Sequence, residues 1–101
     1  DWDESVNIIK DVVFSVLEEI GSEYNNDELK LPTEDTRLFG RNLDSFGVIL
    51  MVTEVEEKLS NVLGFNISLA DDRAMSQKTS PFRNVKTLLD YVEMIINEKK
   101  L

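Results

Sequence analysis

Apolar side chains recur every three or four positions near the start of the chain. They are Val6, Ile9, Val13, Val16, Leu17 and Ile20. This period places them on one face of an amphipathic helix. Asp3, Glu4 and Ser5 suit the positive end of the helix dipole, and Gly21 follows as a stop signal. The pattern predicts a first helix over about residues 4–20.

The next segment, residues 21–43, has no period. It contains the turn-forming residues Gly21, Asn25, Asn26, Pro32 and Gly40. Its isolated apolar residues are typical of loop anchors; they are Leu29, Leu31, Leu38, Phe39 and Leu43. We therefore expect a long loop, and a loop of this length in a small domain usually has a packing or functional role.

A second helical pattern covers about residues 44–63 and ends before Gly64. At 100° per residue its core face consists of Val48, Met51, Val52, Val55 and Leu59. The opposite face carries Phe46, Leu50, Thr53 and Glu57, with Glu54 alongside. The prediction is a helix with an exposed stripe that is partly apolar.

The last third of the chain is irregular up to Ser80-Pro81, where residues 71–75 can form one short helical turn. A final helix is predicted over about residues 84–99, with Asn84 as N-cap and Lys99 and Lys100 at the C-terminal end of the dipole. Its apolar face is Val85, Leu88, Leu89, Val92, Ile95 and Ile96. The whole predicts an all-α fold: one domain over residues 1–101, with three main helices, one short helix and a long loop between the first two main helices.

Charge and composition narrow the function. Twenty acidic residues against eleven basic ones leave a net charge of −9, which disfavours nucleic acid and anionic membranes as partners. A basic patch on a protein partner is the natural complement, although acidity can serve solubility alone. No apolar run approaches the ~18–20 residues of a membrane span, and no signal peptide is evident. We expect a cytoplasmic monomer that does not insert into membranes.

Cysteine and histidine are both missing from the sequence. This excludes disulfides, thiolate catalysis, Cys/His metal sites, serine triads and acid–base steps that rely on imidazole. The acidic clusters at residues 25–28 and 71–72 lack the spacing of a calcium loop, so we expect no metal. Glu56 and Glu57 are adjacent on a helix and point about 100° apart, which argues against paired-carboxylate hydrolysis.

The distinctive motif is Leu43-Asp44-Ser45-Phe46-Gly47, where the long loop enters the second helix. Here the sequence resembles the acyl carrier protein family, whose attachment site reads Asp-Ser-Leu or similar. The resemblance extends from residue 5 to residue 98. It includes Leu38-Phe39-Gly40 upstream, Val55-Glu56-Glu57-Lys58-Leu59 in the second helix, and Asn84-Val85 and Asp90-Tyr91-Val92 around the last helix.

The resemblance implies a four-helix bundle and covalent attachment of 4′-phosphopantetheine from coenzyme A to Ser45, with Asp44 as an acidic contact for the phosphopantetheinyl transferase. The terminal thiol of the arm would hold acyl or aminoacyl groups as thioesters, and the chain itself would be a non-catalytic carrier. A helix N-terminus suits a phosphodiester anion as well. The alternative for Ser45 is a plain helix cap, because serine and aspartate are both good N-caps.

Two positions depart from the family pattern. Gly47 and Leu50 stand where acidic side chains are usual in the family, which favours a specialised carrier of fatty acid, lipid or polyketide synthesis. Its loading and transfer enzymes would then offer an apolar pocket to Phe46 and Leu50, edged by Lys or Arg that face Asp44, Glu54 and Glu57. In the alternative, Leu50 lies under the long loop and belongs to the core.

Two other functions stay open at this point. The motif and the Ser80-Pro81 turn are also similar to D-alanyl carrier proteins, which would make the cargo an aminoacyl group. A protein of a different class, a helical adaptor that binds partner helices and is never modified, would fit the same helices if the Asp-Ser-Phe run were coincidental.

Overall fold

A computed structural model describes residues 2–69 and 80–100, with side chains for residues 7–69 and 80–99. This part of the chain contains four helices and no strand: α1 (Trp2–Glu23), α2 (Asp27–Lys30), α3 (Ser45–Leu63) and α4 (Val85–Lys100). The Cα radius of gyration is 12.8 Å, close to the ~13 Å of a compact 100-residue domain. The prediction of a small all-helical bundle is confirmed. The turn predicted at residues 71–75 lies outside the described residues.

The first helix is longer than predicted because Gly21 does not end it. Gly21 is buried inside α1, where a Cβ atom would lie 2.7 Å from the backbone N of Lys30 and 2.8 Å from the backbone C of Leu29. The glycine is therefore required by the close approach of α2. The helix ends at Glu23. Two residues later Asn25 has a left-handed φ of 57°, and the N–H of Asn26 donates to the carbonyl of Gly21 at 2.8 Å.

The predicted loop of residues 21–43 is only partly a loop. It contains α2, whose N-cap Asn26 accepts a hydrogen bond from the Leu29 N–H. Three of the five expected anchors, Leu29, Leu38 and Leu43, are buried as predicted. The other two are not, since Leu31 and Phe39 are 82% and 46% exposed.

Both later helices begin and end close to their predicted limits. Gly64 ends α3 in a left-handed conformation, with its N–H bonded to the carbonyl of Ser60 at 2.9 Å. Asn84 caps α4: its Oδ1 accepts from the Thr87 N–H at 2.9 Å, and its own N–H donates to Thr87 Oγ1 at 3.3 Å. The segment between α2 and α3 is held against this end of α4, because the Val85 N–H donates to the carbonyl of Thr36 at 3.1 Å.

The core consists of the faces that the periodicity predicted. Among residues with described side chains, every apolar residue expected on the core face of α1 and α4 is buried. In α3, Met51, Val52, Val55 and Leu59 are buried and Val48 is partly buried. The helix α1 packs against each of the other three, and within the described residues no Cα of α3 lies within 8 Å of a Cα of α4. Buried side chains of α3 and α4 nevertheless belong to the same hydrophobic core.

Candidate modification site at the start of α3

Asp44 and Ser45 have different structural roles although both are good capping residues. Asp44 has an extended backbone (φ −86°, ψ −175°), and its Oδ1 accepts a hydrogen bond from the Gly47 N–H at 2.8 Å. Its carbonyl accepts from the Val48 N–H at 2.9 Å, the first backbone bond of the helix. Asp44 is therefore the N-cap, and the alternative in which Ser45 caps α3 is wrong.

Ser45 is the first residue of α3 and is exposed. Within the described part of the chain, no hydrogen bond forms to its hydroxyl or to the backbone N–H groups of Ser45 and Phe46. Such free N–H groups give the first turn of a helix a partial positive charge that favours a nearby anion. The geometry thus presents an unengaged hydroxyl at a position suited to a phosphodiester.

The chain that leads into Ser45 is braced against α2 by a polar network. The Glu28 carboxylate accepts hydrogen bonds from Arg41 Nη2 at 2.7 Å, from Arg41 Nε at 3.1 Å and from Asn42 Nδ2 at 2.9 Å. Asn26 Nδ2 donates to Asn42 Oδ1 at 3.2 Å. The Arg41 and Asn42 hydrogen bonds lower the pKa of Glu28 to about 2, and Glu28 raises the pKa of Arg41. These contacts tie the chain before Ser45 to α2.

Leu38-Phe39-Gly40, upstream of the Leu43–Gly47 motif, forms a tight turn that precedes this segment. The buried Leu38 offers its carbonyl to the N–H groups of Asn42 and Leu43, both at 3.0 Å. The N–H of Gly40, whose φ is 92°, donates back to the Leu43 carbonyl at 3.0 Å. Glycine is favoured at this φ. The turn anchors the segment in the core two residues before it reaches Ser45.

The expected docking residues are only partly exposed. Phe46 is 71% exposed and Glu57 is exposed, whereas Leu50 and Glu54 are half-buried. Leu50 therefore does not project freely as the stripe on α3 predicted. The helical wheel missed Ile49, which is 63% exposed and lies three residues after Phe46. The two form an exposed apolar pair next to Ser45.

Neither a metal site nor a membrane-spanning helix is found among the described residues. No group of three or more acidic side chains there is arranged to hold a metal ion. None of the described helices is both long enough and apolar enough to cross a membrane.

Comparison with known proteins adds no relative: no family model, curated protein or solved structure matches this chain. The resemblance to acyl carriers accordingly rests on the sequence. The structural support for a function comes from the arrangement around Ser45.

Proposed function

We propose that this protein is an acyl carrier protein with a 4′-phosphopantetheine arm at Ser45. The arm holds acyl or aminoacyl groups as thioesters. The protein presents these groups to partner enzymes of a specialised fatty acid, lipid or polyketide pathway. The observation that carries the proposal is the division of roles at the start of α3. Asp44 caps the helix, so the exposed Ser45 hydroxyl is free for modification. A serine that was only a cap would be engaged with the N–H of a residue two or three positions later.

The residues around Ser45 fit the group. The unbonded N–H groups of Ser45 and Phe46 favour the phosphodiester, and the braced Glu28–Arg41–Asn42 network holds the preceding segment in place. The chain has no histidine or cysteine, so a separate transferase must remove the proton from the serine hydroxyl. When attached, the arm supplies the thiol that this chain lacks.

The partners would recognise the surface beside Ser45. Phe46 and Ile49 are exposed apolar side chains, and the carboxylate of Asp44 lies next to them in sequence and is exposed. Glu57 is exposed farther along α3, and Glu54 is half-buried. A transferase or acyl-loading enzyme with an apolar pocket edged by Lys or Arg would complement this surface. The exposed apolar pair also favours the second candidate, an unmodified helical adaptor.

Intact mass separates these candidates. The protein is incubated with coenzyme A, magnesium and a broad-specificity phosphopantetheinyl transferase. A single phosphopantetheinyl addition is expected for the natural sequence and for S22A, which changes an exposed serine on α1, and no addition is expected for S45A. An unchanged mass of the natural sequence would support the adaptor, and addition to S45A would show that another serine is modified.

A further inference from the structure

A groove of about 270 Å³ opens beside Ser45, between the end of α1, the α2 segment and the first turn of α3. Asp44 and Phe46, the two chain neighbours of Ser45, both line it, as does Tyr24 just after the end of α1. Gly47 also lines it, and a Cβ atom there would lie 3.0 Å from Leu43 Cδ2. A side chain at position 47 would press on Leu43. The glycine at this position therefore keeps that part of the wall free of a side chain.

The lining combines apolar surface with amide and phenol groups. Leu29 and Leu43 are buried and provide the floor, while Tyr24 is 56% exposed. Asn26 uses its Oδ1 and one Nδ2 hydrogen in bonds to Leu29 and Asn42, which leaves its second Nδ2 hydrogen available. The Tyr24 hydroxyl forms no hydrogen bond with the described residues. The groove thus offers donors to a ligand that also has apolar surface.

Charge limits which ligand the groove can take. Asp44 is the one charged residue among the described residues that line it. A carboxylate or phosphate inside the groove would face this carboxylate without a cation to offset the repulsion. A neutral chain that contains amides and methyl groups is compatible with the lining, and the pantetheine portion of the arm has this chemistry.

Size and tethering decide whether occupancy is feasible. At about 270 Å³ the groove is slightly smaller than the ~300–1,000 Å³ of sites for free small molecules. A group tethered by a short flexible link has an effective concentration in the mM range. A groove with a dissociation constant of about 1 mM for the untethered group would then be about half occupied. Contacts too weak to hold a free ligand are sufficient for an arm attached at the rim.

We propose that this groove holds the pantetheine portion of the arm on Ser45, along the end of α1, when no partner enzyme is bound. The inference rests on the proposed modification of Ser45. It assigns Tyr24, Asn26 and Leu29 to the resting position of the arm, and none of these residues belongs to the Asp-Ser-Phe motif.

The test is NMR spectroscopy of the ¹⁵N,¹³C-labelled protein before and after modification, with intact mass establishing that the arm is present. We expect NOEs between the geminal methyl groups of the arm and the Tyr24 ring, and shift changes at the Asn26 side-chain amide and the Gly47 backbone amide. Y24A should lose the shift changes at the Asn26 side-chain amide and the Gly47 backbone amide, because one wall of the groove is removed, yet still gain the phosphopantetheinyl mass. The matched control V62A truncates an apolar side chain of similar exposure, 57%, at the far end of α3 and should keep them.

The outcomes distinguish the two proposals. Absence of the mass addition on the natural sequence overturns the carrier function and the groove assignment together. A normal mass addition, with shift changes confined to residues 44–46 and no NOE to Tyr24, overturns the groove assignment alone. NOEs to the Tyr24 ring in the natural sequence and in V62A, together with loss of the Asn26 and Gly47 shift changes in Y24A, support the groove.

Discussion

At the scale of single residues, the site depends on which of two neighbouring polar side chains caps α3. Asp44 precedes the helix with extended backbone angles, so its carboxylate reaches back to the Gly47 N–H. Ser45 has already entered the helix, where its side chain no longer lies in the capping position. The aspartate therefore has a structural role, whereas the serine one position later has a free hydroxyl.

This division predicts unequal effects on stability. D44A should lower the free energy of unfolding by about 0.5–2 kcal/mol, because it removes the N-cap. S45A should change it by no more than about 0.5 kcal/mol, as is usual for an exposed side chain without a structural partner. Urea denaturation measures both. The control D44N retains a capping side chain and should lose little stability, whereas a larger loss in S45A than in D44A would show that serine is the cap.

The hydrogen bonds of Glu28 make a pH-dependent contribution to the free energy of unfolding. The pKa of Glu28 is about 2 in the folded protein against an ordinary value of 4.5, because of the hydrogen bonds from Arg41 and Asn42. Since the folded pKa is the lower one, the contribution to stability is fully present above the ordinary pKa and is lost as pH falls towards 2. The difference in unfolding free energy between the natural sequence and E28Q should shrink over this range. A difference that stayed constant between pH 6 and pH 2 would contradict this assignment.

At the scale of elements, the contact between α1 and α2 depends on the absence of one side chain. Gly21 lies inside a helix, where glycine is intrinsically unfavourable by about 0.5–1 kcal/mol relative to alanine. It is tolerated there because the backbone of Leu29 and Lys30 occupies the place of a Cβ atom. The contact matters for the site, since α2 carries the Glu28 that braces the approach to Ser45.

We therefore expect G21A to destabilise the protein despite the better helix propensity of alanine. Overpacking against backbone atoms, which have little freedom to move, should cost about 1–3 kcal/mol in thermal or urea unfolding. The neighbouring exposed position offers the control, because S22A should stay within about 0.5 kcal/mol of the natural sequence. A gain in stability in G21A would mean that α2 can move away from α1 at little cost.

The exposed face of α3 allows a test of docking that separates surface from core. I49E should leave the unfolding free energy within about 0.5 kcal/mol. Under the proposed function it should lower kcat/KM of the phosphopantetheinyl transferase for this protein, because it removes half of the exposed apolar pair. L50E should destabilise by about 1 kcal/mol or more, since the residue is half-buried. Equal stability of the two variants would place Leu50 back on the open surface, as its position on the helical wheel predicted.

At the scale of the whole molecule, α1 is the helix against which the others pack. Within the described residues, no Cα of α3 lies within 8 Å of a Cα of α4. Val52 and Val55 of α3 and Leu88 and Leu89 of α4 are all buried apolar residues of one core. A bundle held in this way can open between α3 and α4 through side-chain shifts without breaking a close helix–helix contact.

Under the proposed function, an acyl chain on the arm at Ser45 should consequently enter the bundle between these two helices. Methyl shifts of Val52, Val55, Leu88 and Leu89 are expected to change progressively with acyl chain length in NMR spectra of the loaded protein. An aminoacyl cargo is too short to enter and should leave them unchanged. Methyl shifts that were indifferent to chain length would exclude internal storage of the cargo between these helices.

The sequence by itself determined the three main helices, their core faces and the position of Ser45 at a helix start, but not the short helix α2. Helical periodicity and capping depend on residues within one or two turns of each other, so they can be seen in the order of residues along the chain. The same local rules located Gly64 and Asn84 as helix limits. They also left two candidates for the cap of α3, since aspartate and serine have the same local preference.

The tertiary structure decided what depends on contacts between distant parts of the chain. The role of Gly21 depends on the position of α2. The partial burial of Leu50 depends on what covers one flank of α3. The pKa of Glu28 depends on Arg41, thirteen residues away. No helical period contains this information, because a period describes one element without its neighbours. The groove beside Ser45 is of the same kind, since its walls come from the end of α1, α2 and the start of α3, which meet only in the folded chain.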